Sequence, residues 1–112
     1  MGKIVRYNKL IRDKIPGVAR KAGWEPTIRV LTKNEFFDEV KKKISEEARE
    51  LIRAKDKKGI ADEIVDIQEL LEVLTLETGL TRAEIKKMQT IKREKRGGFK
   101  KKLFLIKEKY EQ

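Results

Sequence analysis

Four carboxylates repeat one spacing: Glu47-x-x-Glu50, then Glu63-x-x-Asp66. They lie within SEEARELIRAKDKKGIADEIVDIQEL, residues 45–70, of a chain whose formal net charge is +10. Residues three apart on a helix sit about 60° apart around its axis, so each pair shares a face. If two helices pack antiparallel across a turn at Lys55–Gly59, both pairs fall near the same hairpin end and can converge. The chain has no cysteine and no histidine. That removes disulfides, thiolate zinc sites, thiol nucleophiles, imidazole bases and Ser-His triads. A metal site here is built from oxygen ligands, which suit Mg²⁺, Mn²⁺ or Ca²⁺.

Most acids in a Lys/Glu-rich helix belong to its solvated face. Glu46 projects opposite the apolar stripe of its helix, and Glu69 and Glu72 read as exposed. Glu63 and Asp66 differ. They share a line with Leu70 and Val73, and Ile60 and Ile67 flank them on the other side. A carboxylate in such an apolar sector is stable only when protonated, paired with Lys or Arg, or coordinated to a cation.

The elements that position these acids are helical. Pro16–Lys21 is a short helix with Pro in its first turn, after an irregular start. Thr27–Leu31 is β-branched and could form a short strand. Thr32 to Glu35 fits a capping box. It opens a helix whose apolar residues Phe37, Val40, Ile44, Ala48 and Leu51 recur three and four apart as far as about Ala54. A polar turn at Lys55–Gly59 precedes a second long helix, about Ile60 to Thr78, stopped by Gly79. Thr81 to Glu84 is a second capping box for a helix that runs to about Lys95. The tail after Gly97-Gly98 reads as strand or helix. Short connections favour antiparallel neighbours.

The ExxE…ExxD pattern resembles the signature of the all-α nucleotide pyrophosphohydrolases, the superfamily of MazG, dimeric dUTPases and phosphoribosyl-ATP pyrophosphohydrolases. Glu46-Glu47 ahead of Glu50 matches its EExxE form. YNKLIRDKIP at 7–16 and KREKRGGFKKKLFL at 92–105 resemble the N- and C-terminal motifs of a phosphoribosyl-ATP pyrophosphohydrolase-like branch. The resemblance implies one all-α domain over residues 1–112, a helical bundle completed by a second subunit. It implies a Mg²⁺-dependent enzyme, with Mn²⁺ as a substitute, that hydrolyses a nucleoside triphosphate to the monophosphate and pyrophosphate. Glu47, Glu50, Glu63 and Asp66 would hold the metal.

Glu50, and after it Glu46, are candidates for the general base. A polyphosphate needs further cations, for which Lys9, Arg12, Lys14, Lys92, Lys95 and Arg96 are candidates. Asn8 and Asp13 could bind phosphate, base or backbone. Trp24 reads as packing or as a base-stacking ring. House-cleaning of noncanonical nucleotides is preferred to histidine biosynthesis, because the terminal motifs belong to the like-named branch.

Composition bounds the rest. Charged residues make up 43% of the chain and hydrophobic ones 38%. That is thin for a lone core, so a homo-oligomer, dimer or tetramer, is expected. MGKIVRYNKLIRDKIP holds no long apolar run, so a cytoplasmic protein without a membrane segment is expected. The positive charge fits an anionic partner. A nucleic-acid-binding reading is not favoured: aromatic content is 6%, and it gives no reason for acids in an apolar sector. A non-catalytic helical module is the remaining alternative, and the intact acid set argues against it.

Overall fold

The computed structural model describes residues 2–111. It contains four helices: α1 Ile15–Lys21, α2 Lys33–Arg53, α3 Lys57–Glu77 and α4 Arg82–Arg96. No strand occurs among the described residues. No helix there is long and apolar enough to cross a membrane. Helix α3 is central and packs against α2 on one side and α4 on the other, whereas α1 packs against none of them. The result is an all-α bundle.

Local chemistry sets the helix ends. Thr32 Oγ1 accepts from the Glu35 amide at 3.3 Å, and the Glu35 carboxylate accepts from the Thr32 amide at 3.0 Å. This is the expected capping box. Arg29 reinforces it by gripping both Glu35 oxygens, at 3.1 and 2.7 Å. That grip, together with the Thr32 bonds, holds the Glu35 carboxyl down at about 2. A depressed acid stabilises the fold above its unfolded value of 4.5 and loses that contribution as pH falls toward 2. Thr32→Ala is therefore expected to cost about 1 kcal/mol and to shrink this acid-limb dependence, read by denaturant melts across that range.

Helix α3 starts earlier than its apolar pattern indicates. Asp56 is its N-cap and accepts from the Gly59 amide at 2.7 Å. Lys57–Gly59 therefore belong to the helix and not to the turn. A Cβ at Gly59 would lie 2.9 Å from Asp56 Oδ1 and 3.4 Å from the Ala54 side chain. Glycine is present there to let the cap close. At the far end Gly79 takes φ +85, the left-handed turn expected after a helix. Thr81 accepts from the Glu84 amide to cap α4. Glu72, expected at the surface, is half-buried and ion-paired to Arg82, which ties α3 to α4.

Two open expectations resolve as irregular chain. Thr27–Leu31 forms neither strand nor helix and has no partner strand among the described residues, and Arg29 spends its side chain on Glu35. Residues 103–111 are neither helix nor strand. Gly97, at φ +83, ends α4, and Phe104 stands 88% exposed.

The α2–α3 hairpin carries the site through a shared seam. On α2, Phe37, Val40, Ile44, Glu47 and Leu51 follow a three-four spacing, and all five are buried or half-buried. On α3, Ile60, Glu63, Ile67, Leu70 and Leu74 do the same. A seam of this period normally takes aliphatic residues throughout. Here one position on each helix is a glutamate.

Candidate active site and metal centre

Glu47 and Glu63 stand equally far from Lys55, one on each arm of the hairpin. An antiparallel pair with that register sets them opposite each other. Asp66, almost one turn beyond Glu63, joins them. One carboxylate oxygen from each of Glu47, Glu63 and Asp66 lies within 4.8 Å of the others, and all three residues are half-buried. Glu63 Oε2 is shielded from water and has no hydrogen-bond partner.

Three carboxylates this close repel one another when ionised, and Glu63 bears the effect. The hydrogen bond that Glu63 shares with Glu47 does most to raise the Glu63 carboxyl. Desolvation and the charges of Glu47, Asp66 and Glu50 add to it, and the carboxyl is pushed up to about 7. A cation bound at this centre would therefore compete with protons. The donor set is all oxygen, partly dry, and includes one orphaned oxygen, which fits a hard divalent ion. Metal uptake is expected to release a proton. Affinity should fall roughly tenfold per pH unit below the Glu63 value. Calorimetric titration with Mg²⁺ in buffers of different ionisation enthalpy checks both.

The remaining candidates fall into three groups. Glu50 is not among the three converging acids: it is exposed and paired with Arg53 at 2.8 Å, although its charge is felt at Glu63. Glu46 is half-buried and sits 3.8 Å from Lys43, which also lies 3.9 Å from Glu47. Lys43 was missed as a site neighbour. Its signal was the spacing, three residues before Glu46 and four before Glu47, which places it on their face.

From the N-terminal segment, Arg12 reaches the centre and donates to Asp66 Oδ1 at 2.8 Å. Asn8 adopts φ +48. Lys9 lies 5.1 Å above the Tyr7 ring. Asp13 and Lys14 make no ion pair among the described residues. Lys92, Lys95 and Arg96 share a face of α4 with Met88 and Ile91 around a shallow open concavity. They contact none of the three acids. Trp24 is about half exposed at the end of α1.

The phosphoribosyl-ATP pyrophosphohydrolase family matches residues 24–94, well over half of the chain. The chain belongs to this family. It is thereby a pyrophosphohydrolase of the MazG-like nucleotide pyrophosphohydrolase superfamily, a hydrolase acting on phosphoric anhydrides. The pyrophosphohydrolase match spans α2 and α3 entire, and so all four repeated acids, and reaches Glu94 in α4. YNKLIRDKIP lies outside it. No curated protein and no solved structure matches the chain.

Proposed function

We propose that the protein is a Mg²⁺-dependent nucleoside triphosphate pyrophosphohydrolase that removes noncanonical nucleotides. The observation that carries the reading is the orphaned Glu63 oxygen among three converging carboxylates, inside the family-matched hairpin. Apolar seam positions bear carboxylates at a stability cost, and a bound cation is what offsets it.

Glu47, Glu63 and Asp66 would hold the cation, and Glu50 would join them after leaving Arg53. A divalent ion bound there would neutralise phosphate charge and acidify a coordinated water. Glu50 is the first candidate to take the proton from the attacking water, and Glu46 the second. Lys43, beside Glu46 and Glu47, supplies a positive charge next to the outer acids. Hydrolysis between the α and β phosphates adds the water oxygen to one fragment and yields nucleoside monophosphate and pyrophosphate. Arg12, with Lys9 and Lys14 near it in sequence, supplies cations for the polyphosphate. Lys92, Lys95 and Arg96 are the second cationic set, and Asn8 and Asp13 are placed to orient substrate.

The active form is a homo-oligomer, in this reading a dimer. Val40, 1% exposed, is the one fully buried hydrophobic residue among those described. The radius of gyration is 19.6 Å, against about 13 Å for a compact chain of this length. Leu71, Leu76, Met88 and Ile91 remain uncovered on α3 and α4. A second copy would complete the core that one copy lacks.

The test is pyrophosphate release from a panel of canonical and modified nucleoside triphosphates plus phosphoribosyl-ATP, with and without Mg²⁺. Metal-dependent release fastest from modified triphosphates supports the proposal. Preference for phosphoribosyl-ATP would instead support the histidine-biosynthetic reading, which the matched family's own name favours. Absence of release from every substrate would sink both.

A further inference from the structure

Residues 2–23 make one side-chain polar link to the bundle among the described residues. Helix α1 packs against no other helix. Among the described residues, the hydrogen bond and ion pair linking this segment to the bundle is Arg12 to Asp66, 2.8 Å. It is a single contact, one guanidinium nitrogen to one carboxylate oxygen. Arg12 is 57% exposed, and its other N–H groups donate to no protein atom among the described residues. A guanidinium has five N–H donors in a rigid fork suited to phosphate, so most of this one's capacity remains open. Asp66 is also one of the three acids that converge on the centre. The cation from the unmatched N-terminal motif thus stands on a carboxylate that a metal ion would claim.

We propose that Arg12 is a transferable counter-ion, which neutralises Asp66 in the metal-free protein and passes to the substrate's polyphosphate when a divalent cation takes Asp66. The inference rests on the metal-dependent nucleotide reading above and adds a coupling to it. A cation at Asp66 frees Arg12 for phosphate, and phosphate that draws Arg12 away frees Asp66 for the cation. Each ligand then tightens the other by the same factor. The coupling favours substrates whose polyphosphate reaches beyond the metal-bound groups, and it fails for a monophosphate product. It also gives the N-terminal segment a role: it carries the exchanged cation and turns a weakly tethered arm toward the nucleotide once both ligands are present.

The test uses the full chain, with Mn²⁺ as the probe ion and a methylene-bridged, non-hydrolysable nucleoside triphosphate as the probe nucleotide. In the parent, the analogue should tighten Mn²⁺ binding at least about fivefold, and a nucleoside monophosphate should not. Arg12→Gln should bind Mn²⁺ alone about two- to fivefold tighter than the parent, because an exposed competing cation is gone. The same variant should lose the coupling and show a KM raised about tenfold or more. Arg12→Lys should restore part of the coupling. A merely structural ion pair predicts the opposite for the metal arm, with Mn²⁺ binding unchanged or weakened in Arg12→Gln. That result, or coupling that survives the substitution, overturns the proposal even if the parent hydrolyses nucleotides well. A parent that binds Mn²⁺ but neither binds nor hydrolyses any nucleotide overturns the functional reading beneath it as well.

Discussion

Glu63→Gln is expected to lower kcat by about a thousandfold or more and to leave the metal-free protein at least as stable as the parent at about pH 8. The two effects have one cause. Glu63 is held at about 7 by its carboxylate neighbours and by burial. An acid whose folded value exceeds its unfolded one contributes stability that is complete below about 4.5 and lost as pH rises through the folded value. The parent's metal-free melting temperature should therefore decline between those limits and then level off. Glutamine removes the ionisation, and with it this part of the decline. It also places a permanent amide donor between Glu47 and Asp66, where an ionised Glu63 offers only acceptors. Mg²⁺ should raise the melting temperature of the parent and not that of the variant. Retained hydrolysis, or a retained Mg²⁺ shift, would show that Glu63 is not a ligand.

Met88→Glu is expected to weaken self-association at least about a hundredfold, seen by sedimentation as a shift from dimer to monomer at micromolar chain. Met88 stands 61% exposed on α4 in a single chain, so the substitution creates no cavity and clashes with nothing. The new carboxylate stands one turn before Lys92, a spacing that favours the isolated helix. Its penalty appears only when a second copy covers α4 and buries the charge. An unchanged dimer would place the interface elsewhere, with the uncovered Leu76 and Val65 flank of α3 as the next candidate.

The helices were legible where caps and periodicity agreed. Thr32/Glu35 and Thr81/Glu84 start α2 and α4 where their spacing indicates, and Gly79 follows α3. The start of α3 was less legible, because Lys57 and Lys58 carry no apolar signal and Asp56 can serve equally as turn residue or cap. The close approach of the Asp56 carboxylate to Gly59 decides it. The strand expected at Thr27–Leu31 fails for a physical reason: propensity alone does not supply a partner strand.

Among the acids, pattern reading found Glu63 and Asp66 in the apolar sector. It did not distinguish Glu47, which enters the seam, from Glu50, which turns outward to Arg53. That distinction is about one-sixth of a helical turn, finer than a spacing of three can resolve. The contact between Arg12 and Asp66 links positions 54 apart and leaves no periodic trace.

The converging acids all come from one hairpin, between positions 47 and 66. Bringing them together demands no search over distant parts of the chain. Closure of a short turn does most of it, and local contacts of this kind form rapidly. In the proposed dimer, covering α3 and α4 would be a bimolecular event whose rate depends on concentration. The order of events during synthesis follows: the proposed metal ligands would converge as α3 leaves the ribosome, before the basic C-terminal segment has emerged and before any second copy is met. Refolding should accordingly show a fast, concentration-independent phase that creates metal affinity, followed by a slower phase that scales with chain concentration.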